Sequence, residues 1–295
     1  MSQNGRIVRG VGGLYTVRCE DGVRECRARG AFRREGLTPL VGDYVTVSDG
    51  VIDAVLPRRN HLIRPACANI DKLILVAALS SPDPNLYTLD KMLTIAYYHH
   101  IEPVLVLNKS DLDDVQNLRN IYRGLPLRVL ELQASSGDPA QAEPLRREIC
   151  GCTVAFSGAS GVGKSTLVNL LDPFRERRTG AVSEKLGRGR HTTRCVELYE
   201  MCGGEVMDTP GFSNLLFEYF DLADRTELAG CFPEFRPYLG QCRFDDCHHF
   251  REPDCAVSQA VRDGKIPESR YRNYCAMYEE LGEPQTWKTK KGKPL

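Results

Sequence analysis

The stretch TVAFSGASGVGKSTLVNLL, Thr153 to Leu171, decides the reading of this chain. Thr153-Val154-Ala155-Phe156 is a short apolar run suited to a buried strand, and Thr166-Leu167-Val168-Asn169-Leu170-Leu171 carries helical spacing. Between them Gly158-Ala159-Ser160-Gly161-Val162-Gly163-Lys164-Ser165 matches Gly-x-x-x-x-Gly-Lys-Ser. Glycines there let backbone N–H groups turn toward phosphate oxygens, and the start of the following helix favours negative charge. Lys164 is placed to reach β/γ-phosphate oxygens and Ser165 to ligate Mg²⁺, with Thr166 completing the cradle at the helix start. A glycine-rich turn with an incidental lysine is the competing reading. The strand, loop and helix in the order this chemistry requires argue against it.

Two further motifs fall at strand ends. Asn108-Lys109-Ser110-Asp111 follows the apolar run Pro103-Val104-Leu105-Val106-Leu107. Asn and Asp are ordinary turn formers, so the tetrapeptide gains its meaning from the phosphate loop elsewhere in the chain. A carboxylate at Asp111 can accept both N1–H and the exocyclic N2–H of guanine, a pair that adenine does not offer, while the stem of Lys109 covers the base. The expectation is GTP over ATP, because adenine would leave that carboxylate unpaired. Ala134-Ser135-Ser136-Gly137 is a weaker candidate for the loop that closes over the base. Asp208-Thr209-Pro210-Gly211 follows a short apolar strand, as the Mg²⁺-linked Asp and γ-phosphate-sensing Gly of a GTPase do, although a plain turn has the same composition. A Ras-type GTPase presents these parts as phosphate loop, Asp-x-x-Gly, then Asn-Lys-x-Asp. Here the Asn-Lys-x-Asp motif comes first, so the chain reads as a circularly permuted GTPase.

The segment between phosphate loop and Asp208 should hold the first switch. In Arg188-Gly189-Arg190-His191-Thr192-Thr193-Arg194, Thr192 or Thr193 can close on Mg²⁺ and the γ-phosphate. His191 reads equally as a group that orients the attacking water and as a solvent-facing or RNA-contacting side chain. With Arg175, Arg177, Arg178 and Lys185 this stretch is basic, either a solvated loop or a phosphate-backbone contact. Phe212 stands where a Ras-type enzyme has its water-orienting Gln, so intrinsic hydrolysis should be slow or depend on a group supplied by a partner.

At 295 residues with 42% hydrophobic content, the chain can bury several cores. No apolar run approaches the roughly 20 residues of a membrane helix, and the start shows no signal-like stretch, so a cytosolic protein is expected. The 12 cysteines then read as thiols and metal ligands rather than disulfides. The formal net charge of +0 excludes a global basic excess as a sign of nucleic-acid binding. Residues 1–69 show short alternating segments such as 13–19 and 43–47, separated by turn signals such as Ser48-Asp49-Gly50. They predict a small all-β barrel, of OB-fold type by length, with an SH3-like barrel or open meander as the alternative. Residues 70–220 predict a parallel, doubly wound α/β domain. Its strands fall near 73–78, 103–107, 128–132, 153–157, 195–201 and 205–207, and its helices near 87–100, 114–124, 139–149 and 164–171. Residues 221–295 turn Cys-, Pro- and Arg-rich, become helical over 267–281 and end in a basic tail.

In that last region Cys242-x4-Cys247-x-His249-x5-Cys255 offers four ligands within 14 residues, the number a closed tetrahedral Zn²⁺ site requires. His248 competes with His249. Cys231 and Cys275 read as buried thiols.

Taken together these residues resemble the bacterial ribosome small subunit-dependent GTPase A family of circularly permuted GTPases. The likeness covers nearly the whole chain. It rests on the OB-like start, the rotated motif order, Gly189-Arg190-His191-Thr192-Thr193, and the cluster Cys242, Cys247, His249, Cys255 followed by Ala256-Val257. Gln133 and Arg194 depart from the family pattern. The resemblance implies three parts: an OB-fold barrel, a P-loop GTPase domain and a mostly helical zinc-binding domain in which His249 is the ligand. It also implies GTP hydrolysis with Mg²⁺, one Zn²⁺ per chain, and stimulation by the 30S subunit during its late maturation. The implied partners are the 30S subunit, its rRNA and other ribosome assembly factors, with the protein a monomer free of membranes. A GTP-binding RNA scaffold with little turnover, suggested by Phe212, is the alternative from another class. A GTPase acting on tRNA or a membrane partner is a third.

Overall fold

The structure, a computed structural model, describes residues 2–62, 65–80, 82–111, 115–172, 196–208 and 225–282. The first strands are β1 (Gln3–Val11), β2 (Leu14–Cys19), β3 (Gly22–Ala28), β4 (Tyr44–Ser48) and β5 (Val51–Val55). They pair in the order β1-β2-β3-β5-β4 and close through β1–β4, with β3 and β5 parallel and the other pairs antiparallel. A five-stranded closed barrel of OB type results, and the open meander is excluded. Alternation of side chains sends Ile7, Val17, Cys26, Val45, Val47 and Ile52 inward, none more than 1% exposed. A short helix, α1 (Gly30–Glu35), plugs the barrel with Phe32 while Arg33 and Arg34 face solvent. A single apolar residue in so short a run leaves no helical period to read. A two-stranded ribbon, β6 (His61–Leu62) and β7 (Cys67–Ala68), leads out of the barrel.

The α/β part contains β8 (Lys72–Ala78), β9 (Glu102–Asn108), β10 (Arg128–Leu132), β11 (Thr153–Ser157), β12 (Glu197–Met201) and β13 (Gly204–Asp208). The order is β10-β9-β8-β11-β13-β12, parallel as far as β13. Helices α2 (Leu86–Tyr98), α3 (Gln116–Tyr122), α4 (Glu143–Ile149) and α5 (Lys164–Leu171) connect the strands. Parallel strands are covered on both faces, and successive residues accordingly enter two separate cores. Leu73, Leu75, Leu105, Leu107, Ala155 and Met207 pack on one side. Ile74, Val76, Val104, Val106, Val154 and Phe156 pack on the other. One strand departs from the parallel expectation. β12 runs antiparallel to β13, because Cys202 and Gly203, at φ 54 and 73, form a two-residue turn of the kind that joins hairpins. The segment 139–149 begins with a 3-10 turn, Pro139–Ala142, before α4.

The C-terminal part holds two 3-10 segments, Arg225–Cys231 and Pro233–Tyr238, then α6 (Ala256–Arg262) and α7 (Glu268–Leu281). It docks on α2 through a buried polar network. Asp90, fully buried, accepts from Tyr122 Oη at 2.9 Å, Arg270 Nη1 at 2.6 Å and Asn273 Nδ2 at 2.6 Å. Arg270 Nε also donates to Glu234 Oε1 at 2.7 Å, and its guanidinium lies 4.7 Å from the centre of the Phe232 ring. Burial raises the Asp90 pKa, opposed by the charge of Arg270 and by hydrogen bonds from Asn273, Arg270 and Tyr122. No helix among the described residues is long and apolar enough to cross a membrane.

Arg270→Ala removes the guanidinium shared by two acids and leaves Asp90 buried without its charge partner. The expected loss is about 3–5 kcal/mol of unfolding free energy, measured by urea denaturation. A loss under about 1 kcal/mol would contradict this account.

Candidate nucleotide-binding site and metal centre

The phosphate loop begins where β11 ends, at the carboxyl edge of the parallel sheet, the usual ligand edge of such folds. Its backbone is forced into an unusual path by close neighbours. Gly158 has φ 147, and a Cβ on it would stand 2.2 Å from the Val76 carbonyl oxygen. Gly163, at φ 96, precedes α5, and a Cβ there would stand 2.2 Å from Asn108 Nδ2. Only glycine satisfies either position. Ala159, Ser160, Gly161, Ser165 and Thr166 are exposed, whereas Val162 anchors the loop at 3% exposure. Lys164 Nζ donates across the loop to the carbonyl oxygens of Gly158 at 2.7 Å and Ala159 at 2.6 Å. Burial lowers its pKa, so an arriving anion would be electrostatically welcome.

Asn108 ties three strand ends together. It is 2% exposed, donates from Nδ2 to the Val162 carbonyl at 2.8 Å and accepts at Oδ1 from Ala134 N–H at 3.1 Å. Sheet register makes this reach possible, since Asn108 is paired with Ala78 on β8 and with Leu132 on β10. The next residues turn sharply. Lys109 has φ 59, Ser110 N–H points to the Leu132 carbonyl at 3.4 Å, and Asp111 is exposed. The phosphate loop, Asn108 and the turn at Ala134–Ser136 are thus tied together at one edge of the sheet.

At the far end of the chain Cys242, Cys247, His249 and Cys255 converge, their ligand atoms all within 4.8 Å of one another. His249 Nδ1 lies 3.4, 3.6 and 3.5 Å from the sulfurs of Cys242, Cys247 and Cys255, and Cys242 Sγ lies 3.9 Å from Cys255 Sγ. A tetrahedral ion with Zn–S near 2.3 Å and Zn–N near 2.0–2.1 Å requires edges of about 3.6 Å for S–N and about 3.8 Å for S–S. The cluster therefore has the size of a zinc site. His248, the competitor, turns its ring toward Tyr278, with centroids 5.7 Å apart. Burial pushes the Cys247 thiol up to about 12, so a cation is what would hold it as a thiolate. Cys231 is buried and Cys275 half-buried, and neither belongs to the cluster.

Comparison with known proteins agrees with this geometry. The family model described as RsgA GTPase matches residues 55–218, and that of the RsgA N-terminal domain matches residues 4–51. The chain belongs to the RsgA GTPase family. It is 43% identical over 290 residues to the small ribosomal subunit biogenesis GTPase RsgA of Caldanaerobacter subterraneus subsp. tengcongensis, covering 95% of this chain and 96% of that one. The Bacillus cereus protein of the same name is 41% identical over 290 residues, with 95% and 97% covered. Among solved structures, YjeQ from Thermotoga maritima superposes with a TM-score of 0.80 at 37% identity over 96% of this chain and all 100% of that one. YloQ, described as a circularly permuted GTPase, gives 0.76 at 32%, covering 99% and 97%. RsgA GTPases hydrolyse GTP, and the motif order of this chain is that of a permuted member.

The structure thus brings the phosphate loop, Asn108-Lys109-Ser110-Asp111 and the 134–137 turn to one edge of the sheet. Asp208 ends β13 at that same edge, beyond β11. His191, Thr192, Thr193 and Gly211 lie outside the described residues, as do Phe212 and the arginines around His191. The motif marks Asn108 as a candidate nucleotide-binding residue without revealing its double hydrogen bond. A buried amide at a strand end, facing a glycine loop, was the available signal.

Asn108→Asp replaces a donor by a carboxylate facing the Val162 carbonyl. GTP affinity should fall by about 1–3 kcal/mol, read by titration with a fluorescent guanine nucleotide. Cys247→Ser should lose bound zinc by metal analysis, and full metal content in that variant would reject the proposed ligand set.

Proposed function

We propose that this protein binds the small ribosomal subunit and hydrolyses GTP during late 30S maturation, with rRNA and other assembly factors as its partners. The observation that carries the reading is Asn108 bonded at once to the phosphate loop and to the 134–137 turn, which supports a guanine-nucleotide site at this edge of the sheet. Relatives covering nearly the whole chain are named small ribosomal subunit biogenesis GTPases, which supports the choice of partner.

In this reading Gly158 to Ser165 and Thr166 hold the phosphates by backbone N–H groups and the start of α5, and Lys164 leaves its carbonyl contacts to meet the β/γ oxygens. Asp111 reads guanine and Lys109 covers it, while Ser110 stays bonded to the end of β10. Ser165, Asp208 and Thr192 or Thr193 would hold Mg²⁺, which neutralises charge on the phosphates. Gly211 senses the γ-phosphate, and His191 is the candidate for orienting water. With Phe212 in the place of a Gln, efficient turnover needs a group arranged by the partner. Cys242, Cys247, His249 and Cys255 hold one Zn²⁺ that pins the loops bearing them to the aromatic core of Phe232, Phe235 and Tyr274. The functional units are the barrel at 1–69, the GTPase at 70–220 and the zinc module at 221–295, in a cytoplasmic monomer.

Phosphate release by the protein with and without purified 30S subunits tests the proposal. Stimulation on the order of 10²-fold or more is expected; equal turnover would favour a GTP-holding scaffold. Asp111→Asn removes the acceptor for two guanine donors and should weaken GTP binding by about 3 kcal/mol, on the order of 10²-fold, while improving discrimination toward xanthosine nucleotides. Competition binding with GTP, ATP and XTP reads this directly.

A further inference from the structure

The barrel and the α/β sheet are one continuous sheet at β1, β12 and β13. β1 meets β12 at Arg9↔Glu197, and Glu197 is in register with Asp208 on β13. At the other end of the β12–β13 hairpin, Glu205 is the register partner of both Glu200 on β12 and Thr153 on β11. Facing it from the barrel are Arg6 and Arg18, themselves register partners on β1 and β2. Arg6 Nη1 bonds Glu205 Oε2 and Arg18 Nη2 bonds Glu205 Oε1, so both carboxylate oxygens are held by the barrel. Arg18 Nη1 also reaches Glu200 at 3.2 Å. Thr153 Oγ1 donates to Glu205 Oε2 at 3.1 Å and accepts from Arg6 Nη2 at 3.0 Å. Arg6 is 7% exposed.

Like charges directly opposite on neighbouring strands repel. The barrel carries such a pair in Arg6 and Arg18, and the hairpin carries one in Glu200 and Glu205. The two unfavourable pairs neutralise each other at this seam. Ionised, two-oxygen pairing of this kind is strong and directional. Thr153 opens the strand that feeds the phosphate loop, and Glu205 lies three residues before Asp208 on its strand. The cluster therefore ties the start of the Asp208 strand to the start of the phosphate-loop strand and to the barrel.

We propose that Glu205 is a positioning residue for GTP hydrolysis: clamped by Arg6 and Arg18 of the barrel, it sets the register of the Asp208 strand against the phosphate-loop strand, so the seating of the barrel controls turnover. The inference rests on the assignment of Asp208 to the nucleotide site made above. Full-length Arg18→Ala and Glu205→Gln proteins provide the test, Arg18 being only partly buried and its replacement mild. Each should lower kcat for GTP by about three- to tenfold with little change in KM, the size expected for coupling through a packed network. Amide hydrogen exchange over 197–208 should rise in the nucleotide-free protein, and the double variant should be no slower than the slower single one. Unchanged kcat in both single variants, reduced kcat without faster exchange in 197–208, or multiplied losses in the double variant would overturn the proposal. Turnover is measured with 30S subunits present, and if the unaltered protein itself fails to hydrolyse GTP there, it is the functional reading above that fails.

Discussion

The site depends on a space too small for any side chain. At Gly158 and Gly163 the loop backbone runs so close to the Val76 carbonyl and to Asn108 Nδ2 that a single added carbon would collide with each. That closeness requires the ends of β8, β9 and β11 to arrive together, which the order β9-β8-β11 and its register provide. With the backbone pressed in this way, Asn108 can satisfy the Val162 carbonyl and the Ala134 N–H with one amide. Buried polar groups must find partners, and here the partners are the phosphate loop and the turn after β10. The rest of the α/β part serves to hold those three ends in place.

The two flanking parts attach to this frame by different elements, each through a charge cluster at the seam. The barrel grips the β12–β13 hairpin through Glu205, on the strand that ends in Asp208. The C-terminal part grips α2, where Asp90 and Arg270 are each 1% exposed or less and Lys91 pairs with Glu280. The N-terminal approach to α2 passes the phosphate loop, with Pro82 Cδ 3.6 Å from where a Cβ on Gly161 would stand. Motif rotation alone suggests a covalent link from the Asp208–Gly211 motif into the C-terminal part. The packing adds a second connection: α2 carries Asp90 to the C-terminal part and Met92 to Ser157, whose Oγ lies 3.3 Å from the Met92 sulfur at the strand end that feeds the phosphate loop.

Much of the frame was legible because its signals are local. Lys164–Leu171 is helical over the expected span, since helical spacing follows directly on a glycine loop. The apolar runs at 103–107 and 153–157 became central strands, because parallel strands buried on both faces are apolar throughout. Less legible were the features set by partners distant in sequence. The direction of β12 follows from a two-residue turn at Cys202-Gly203, whereas its apolar content fits either direction. Helix α1, with one buried residue, and α6, a seven-residue helix in a cysteine-rich stretch, carry too little period to show. Residue identity left His248 and His249 equivalent; the fold separated them by turning one ring to the cysteines and the other to Tyr278.

By itself the sequence determined the chemistry on offer: a phosphate loop, a guanine-reading motif in rotated order, a three-cysteine, one-histidine ligand set and a β-rich start. These are patterns within about a dozen residues, where backbone geometry and donor type restrict the choices. Tertiary structure alone decided how they act on one another. Asn108 joins the phosphate loop to the turn at Ala134–Ser136, Arg6 and Arg18 converge on Glu205 from 199 and 187 residues away, and Arg270 reaches Asp90 across 180. Hydrogen bonds and ion pairs depend on distance in space, and only the closed sheet and the docked helices bring these atoms within reach.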